Sequence, residues 1–301
     1  MRDAITFIMR ADGRRVALHT LAEGGDKLVV FCHAAPGSGA FDPNPEATRA
    51  RGITLVASDR PGYGHSDPLP DGTWPSIADS ADDLAALISE RANRPVGVAG
   101  WSAGGRVALA LAARWPELVD RVVVVGTPAP NEQVPWIPPE QVVMLEQLMP
   151  LRPADALQTL AAQLTPMLPP DNEAEVALAP LAASPADQDA LALPGARKRL
   201  AVMLGEAYAQ GAVGMAADIM SYCLRPWGFE PGEVQVKTLL LYGANDPVAG
   251  SRHGSWWQKQ LPNARLEMVP DAGHMLVLRV WERALSHLAP GTKRRSRNIK
   301  S

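Results

Sequence analysis

The chain has 301 residues, 47% hydrophobic and 20% charged, with a formal net charge of -3. That is an ordinary globular composition, and the length suits one large α/β domain, or one domain carrying an insertion, with a substantial buried core. So small a net charge argues against nucleic acid or an acidic membrane surface as partner, and two distant cysteines, Cys32 and Cys223, argue against a disulfide framework and for a reducing, cytoplasmic setting.

Residues 3–9 and 14–19 read as short strands, and the charge-interrupted start of the chain does not read as a signal peptide. No apolar run is long enough to cross a bilayer. Gly24-Gly25-Asp26 marks a turn. Residues 27–32 then form a compact apolar run rich in β-branched side chains, the signature of a strand buried on both faces. Residues 53–57, 95–99 and 121–125 repeat that signature. Helical patterns lie between them. In residues 76–91, Ile77, Leu84, Leu87 and Ile88 share one side, and residues 103–115 form a second helix that Pro116 helps to end. Strands alternating with helices predict a mostly parallel sheet with helices on both faces.

After Thr127 the pattern breaks. Residues 128–231 are rich in Pro and Ala, with helices expected over 141–148 and 200–220 and no buried-strand run. The strand signal returns at 236–242 and 265–269. The expected organisation is an α/β core made of residues 1–127 and 232–290, a helical lid or cap of residues 128–231, and a basic tail, 291–301, whose composition predicts disorder.

Gly100-Trp101-Ser102-Ala103-Gly104 fits G-x-S-x-G. Alone the motif is weak, but here it joins a buried strand to a helix, where a sharp turn lifts the serine hydroxyl above the sheet. A serine hydroxyl needs a base. Of the six histidines, His274 follows the last strand in a loop loosened by Gly273. His19, His253 and His287 fall on a strand, a helix start and a late helix, and read as structural or surface residues. Asp246 follows residues 239–242 through Gly243-Ala244-Asn245, so it lies at the carboxyl edge of the sheet, where open α/β folds place their sites. Asp271 is the nearest competitor and better suits loop shaping. Ser102 is thus the expected nucleophile, His274 the base and Asp246 the orienting acid. The loop His33-Ala34-Ala35-Pro36-Gly37-Ser38 suggests the Ala35 amide as one oxyanion donor, with the Ala103 amide as the other. His33 is expected to shape that loop, and Asp59 to brace the turn Asp59-Arg60-Pro61-Gly62-Tyr63-Gly64-His65-Ser66.

With those segments, Gly243-Ala244-Asn245-Asp246 and Gly273-His274, the chain resembles the α/β-hydrolase superfamily in its lidded serine-hydrolase branch over about residues 20–130 and 232–290. One departure is His33-Ala34, where the family usually has His-Gly. The resemblance implies hydrolysis of a carboxylic ester or related acyl bond of a small, largely apolar molecule, with no metal or organic cofactor. Haloalkane dehalogenases and epoxide hydrolases of this fold use an Asp nucleophile, against which Ser102 argues. Carbon–carbon bond hydrolysis, acyl transfer, cofactor-free haloperoxidase chemistry and low-turnover ligand binding remain open alternatives. The lid, with Trp136, Met144, Leu145, Leu148, Met149, Met167, Met203, Met215 and Met220, is expected to offer an adaptable apolar pocket.

Overall fold

The computed structural model describes residues 5–169, 174–182 and 184–292. The start of the first expected strand and the tail beyond residue 292 therefore lie outside the described residues. Eight strands form one sheet: β1 (Ile5–Met9), β2 (Arg15–Ala22), β3 (Leu28–Cys32), β4 (Thr54–Ser58), β5 (Val96–Trp101), β6 (Val119–Val125), β7 (Lys237–Gly243) and β8 (Ala264–Val269). Their order is β1-β2-β4-β3-β5-β6-β7-β8. The β1–β2 and β2–β4 pairs are antiparallel, and all the others are parallel. The mostly parallel α/β fold expected from the sequence is the one observed.

The helices of the first half are α1 (Pro45–Arg51), α2 (Ile77–Arg91) and α3 (Ala103–Arg114). The segment between β6 and β7 holds α4 (Pro139–Glu146), α5 (Pro153–Leu164), α6 (Ala174–Leu178), α7 (Pro185–Leu191), α8 (Ala196–Ala207) and α9 (Val213–Cys223). The chain then adds α10 (Ser251–Gln260) and α11 (Val277–Leu288).

The apolar runs of the central strands have a simple physical origin: successive side chains point to opposite faces, and both faces are covered. Val29, Phe31, Ala99, Trp101, Val123 and Val125 join the cluster that holds Trp281 and Leu285 of α11. Val30, Cys32, Val98, Val122, Val124 and Leu240 join the other, with Leu84 of α2, Leu109 of α3 and Trp257 of α10. β8 departs from the expectation of a buried strand. It is the edge strand and is only partly covered, and its Glu267 pairs with Arg283 and Arg265.

The helical segment also differs in detail from its sequence pattern. The single helix expected over 200–220 is two, α8 and α9, with the chain turning through Gly211 at φ 65°. The prolines of this segment start helices: Pro139, Pro153 and Pro185 each sit in the first turn of α4, α5 or α7, where an N–H would be unpaired anyway. Leu145, Leu148, Leu160 and Met220 form a small cluster of their own. Leu200, Met203 and Leu204 instead pack into the main core beside Phe41 and Trp281. Among the described residues, no helix is long and apolar enough to cross a membrane.

Candidate active site

Ser102 occupies the single residue between β5 and α3, with φ 54° and ψ −122°, outside the regions that side-chain-bearing residues favour. Its amide donates to the Val125 carbonyl (2.8 Å), and its carbonyl accepts from Gly105 N (3.0 Å) and Thr127 Oγ1 (2.8 Å). These bonds hold the turn tight. The flanking glycines follow from the crowding: a Cβ at Gly100 would meet the Gly104 carbonyl, and one at Gly104 would meet the Cys32 carbonyl. That is the physical content of the G-x-S-x-G spacing.

His274 Nε2 lies 3.0 Å from Ser102 Oγ, and His274 Nδ1 lies 2.9 Å from Asp246 Oδ2. The other carboxylate oxygen of Asp246 accepts from the amides of Val248 (2.8 Å) and Ala249 (2.9 Å). Burial alone would raise the Asp246 carboxyl. The His274 bond and charge, with those two amides, hold it below its ordinary value instead. The His274 loop is fixed from two sides. Trp101 Nε1 donates to the His274 carbonyl (3.1 Å), and the buried Asp187 of α7 accepts from the Met275 amide (2.7 Å). A hydroxyl bonded to an imidazole that is bonded to a carboxylate is the arrangement that can activate an oxygen nucleophile. Asp271, the competing acid, sits at φ 51° in the loop before His274, and its carbonyl accepts from Arg279.

Ala35 and Ala103 line the same cavity as Ser102 and His274. Ala103 opens α3, so its amide is among those a helix leaves without an internal partner. The loop carrying Ala35 is anchored from beneath. Arg60 donates through Nη1 to the His33 carbonyl (2.5 Å) and through Nη2 to the Ala34 carbonyl (2.9 Å). Arg60 also grips Asp218 of α9 with Nε at 2.9 Å and Nη2 at 2.5 Å. His33 accepts the Arg60 amide on Nε2 (3.3 Å), which leaves Nδ1 to donate to the Ala34 carbonyl (2.7 Å). Burial and the Arg60 charge hold it neutral, well below the usual histidine range. His33 is thus a loop-shaping residue. Asp59 braces its turn by accepting from the amides of Gly39 (2.6 Å) and His65 (2.9 Å) and pairing with His19 (3.0 Å). His253 accepts the Ala129 amide (3.0 Å), and burial pushes it down to about 4.

The cavity measures about 220 Å³. Trp136, Leu181, Tyr222, Val248 and Met275 give it apolar walls. None of the methionines expected from residues 128–231 lines it. Met144 and Met220 belong with the small cluster of the helical segment, Met203 is buried in the main core, and Met149 and Met167 are exposed. The wall carries instead Arg106 of α3, only 2% exposed. Sequence reasoning did not single it out. The available signal was its position four residues after Ser102, one helical turn on and so on the same face, in a helix whose other charged residue, Arg114, is its last.

The family model described as alpha/beta hydrolase fold matches residues 27–279, and the chain belongs to that family. It is accordingly an enzyme of the hydrolase class. The chain is 28% identical over 273 residues to the pimeloyl-[acyl-carrier protein] methyl ester esterase of Nitrosomonas europaea, covering 90% of this chain and 97% of that one. It is 27% identical over 265 residues to the enzyme of the same name from Chromobacterium violaceum, covering 85% of this chain and 90% of that one. A hydrolase from Pseudomonas aeruginosa shares the fold with a TM-score of 0.64, at 24% identity over 96% of this chain and 100% of that one. The expectation of an ester hydrolase, drawn from the sequence, agrees with the names these relatives carry.

Proposed function

We propose that this hydrolase opens a carboxylic ester of a small molecule through an acyl-enzyme on Ser102. The observation that carries the reading is the unbroken path from Asp246 through His274 to Ser102 Oγ, with steps of 2.9 and 3.0 Å, which ends on the cavity wall. In the first half-reaction Oγ attacks the acyl carbon while His274 Nε2 takes its proton. Asp246 keeps the imidazole in the tautomer that leaves Nε2 free and steadies the imidazolium. The Ala35 and Ala103 amides receive the charge that develops on the carbonyl oxygen. His274 then returns the proton to the departing alcohol. In the second half-reaction it deprotonates a water that releases the acid and regenerates Ser102.

Residues 128–231 act as a lid over the core formed by residues 1–127 and 232–290. Trp136, Leu181 and Tyr222, which come from that segment, support this by sharing the cavity with Ser102. The methyl ester esterases among the relatives support an ester rather than a carbon–carbon bond or an acyl acceptor other than water. Two free cysteines, Cys32 buried and Cys223 half-buried, fit a reducing cytoplasm.

The test is reaction with a fluorophosphonate, followed by peptide mass spectrometry and assay on a panel of methyl and 4-nitrophenyl esters. The expected result is stoichiometric modification of Ser102 with parallel loss of ester hydrolysis. Full hydrolysis by the modified protein, or label on another residue, would overturn the mechanism.

A further inference from the structure

Arg106 is a buried cation with no ion-pair partner among the described residues. Its side chain is 2% exposed, and neither Nε nor Nη2 meets a hydrogen-bond acceptor among the described residues. Aromatic rings surround it: Tyr222 at 4.5 Å, Trp227 at 5.2 Å and Trp136 at 5.5 Å from the guanidinium carbon to the ring centroid. Rings attract a cation but accept no strong hydrogen bond, so the guanidinium keeps donors to spare. Asp218, a nearby carboxylate, is engaged by Arg60 through both oxygens. Asp187, on the cavity wall, is held by the Met275 amide and the Ser184 hydroxyl. Burial weakens the hold of Arg106 on its proton, as expected of a cation lacking a counter-ion.

An unpaired buried charge is costly, and the cost falls when an opposite charge arrives. Arg106 lines the cavity that Ser102 and His274 share. We propose that Arg106, within its cage of Trp136, Tyr222 and Trp227, is the recognition site for a carboxylate on the substrate, so that the preferred ester is one that also carries a free acid. The inference rests on the ester-hydrolase reading and names its substrate class.

Two features narrow the ligand. One guanidinium balances one negative charge, and its planar fork matches a planar carboxylate; a phosphate dianion would leave a buried surplus. Arg106 lies four residues beyond Ser102, an axial rise of about 6 Å, so the acid and the ester carbonyl are separated by a short spacer. The cavity, about 220 Å³, is smaller than the roughly 300–1,000 Å³ usual for drug-sized ligands. The fitting substrate is a half-ester of a short dicarboxylic acid, or an ester close to it in length and charge.

The experiment compares monomethyl glutarate with its uncharged counterpart, methyl 4-carbamoylbutanoate. Hydrolysis is followed by proton release, and binding by titration calorimetry on the Ser102→Ala variant. A charge-assisted pair predicts that the acid is favoured over the amide by about tenfold to a hundredfold, both in kcat/KM of the parent and in Kd of Ser102→Ala. Adding Arg106→Met to Ser102→Ala should bring the two affinities together, and Arg106→Lys should retain part of the difference. Equal affinity of Ser102→Ala for acid and amide, or a preference that survives Arg106→Met, overturns the proposal. Should Arg106→Met fail to fold, the comparison on Ser102→Ala and the Arg106→Lys variant still decide it. Should neither ester be hydrolysed while Ser102→Ala still prefers the acid, the ester reading falls and the carboxylate site stands.

Discussion

The bed beneath the nucleophile and the wall beside it each bury an arginine, and the two are treated differently. Arg60 is 5% exposed and spends its donors on Asp218 and on the carbonyls of His33 and Ala34. Arg106, 2% exposed, is met by ring faces. Burial pulls both toward losing the proton; Asp218 reverses that for Arg60, and nothing reverses it for Arg106. A satisfied buried charge is part of the scaffold: here it ties the loop of Ala35 to α9. An unsatisfied one has a use outside the fold. The same contrast runs through the site, where Ser102, His274 and Asp246 are hydrogen-bonded to one another while the cavity wall holds donors, on Arg106 and at Trp136 Nε1, that meet no acceptor among the described residues.

The largest effect is expected at the centre of the committed region. Asp246→Asn should lower kcat by about 10⁴-fold, because an amide presents the wrong partner to His274 Nδ1. Asp271→Asn should change it less than about threefold, since asparagine tolerates the left-handed backbone there. Steady-state assays of the pair check the assignment, and equal losses would refute it.

The next effect separates the arginines by stability. Asp218→Ala leaves Arg60 buried without a counter-ion and should cost about 3–5 kcal/mol in denaturant unfolding. Arg106→Met removes a charge that has no counter-ion and should cost no more than about 1 kcal/mol. Similar losses in the two variants would erase the distinction between them.

A smaller, pH-dependent effect belongs to Asp42. One of its oxygens accepts from Thr48 and from the Asn44 amide, while the other is buried with no hydrogen-bond partner among the described residues, and burial pushes the carboxyl up to about 6. The unfolded carboxyl titrates near 3.9, so its folded-state contribution is full below about pH 4 and is lost as the pH rises through 6. Asp42→Asn should therefore be more stable relative to the parent at pH 7.5 than at pH 4, by up to about 3 kcal/mol, and melt correspondingly higher. A difference in Tm that stays constant with pH would show that Asp42 does not titrate in this way.

The sheet and the Ser102, Asp246 and His274 positions were legible because each rests on local chemistry: apolar runs for doubly covered strands, small residues where Ser102 turns, and acid and base just past a strand end. The surroundings of Arg106 were not legible. Its cage brings Trp136, Tyr222 and Trp227 from a segment far along the chain, a tertiary arrangement that no local pattern encodes. Residues 128–231 were read by composition, and composition misled about the pocket: methionines that pack cores looked like pocket walls. Nor is that segment an appendage. Met203 is fully buried in the main core and Asp187 holds the Met275 amide, so cutting out residues 132–228 would uncover the core along with the cavity.

The backbone at Ser102 has a consequence beyond catalysis. A residue with a side chain held at φ 54° and ψ −122° bears strain on the order of 1–3 kcal/mol, which glycine escapes. Ser102→Gly should therefore melt several degrees above Ser102→Ala, although both lack the hydroxyl; equal melting temperatures would mean the turn is relaxed. If the difference holds, the working sequence of this protein is not its most durable one. Drift under selection for durability alone would favour glycine at position 102, whereas the proposed acyl-enzyme requires the serine.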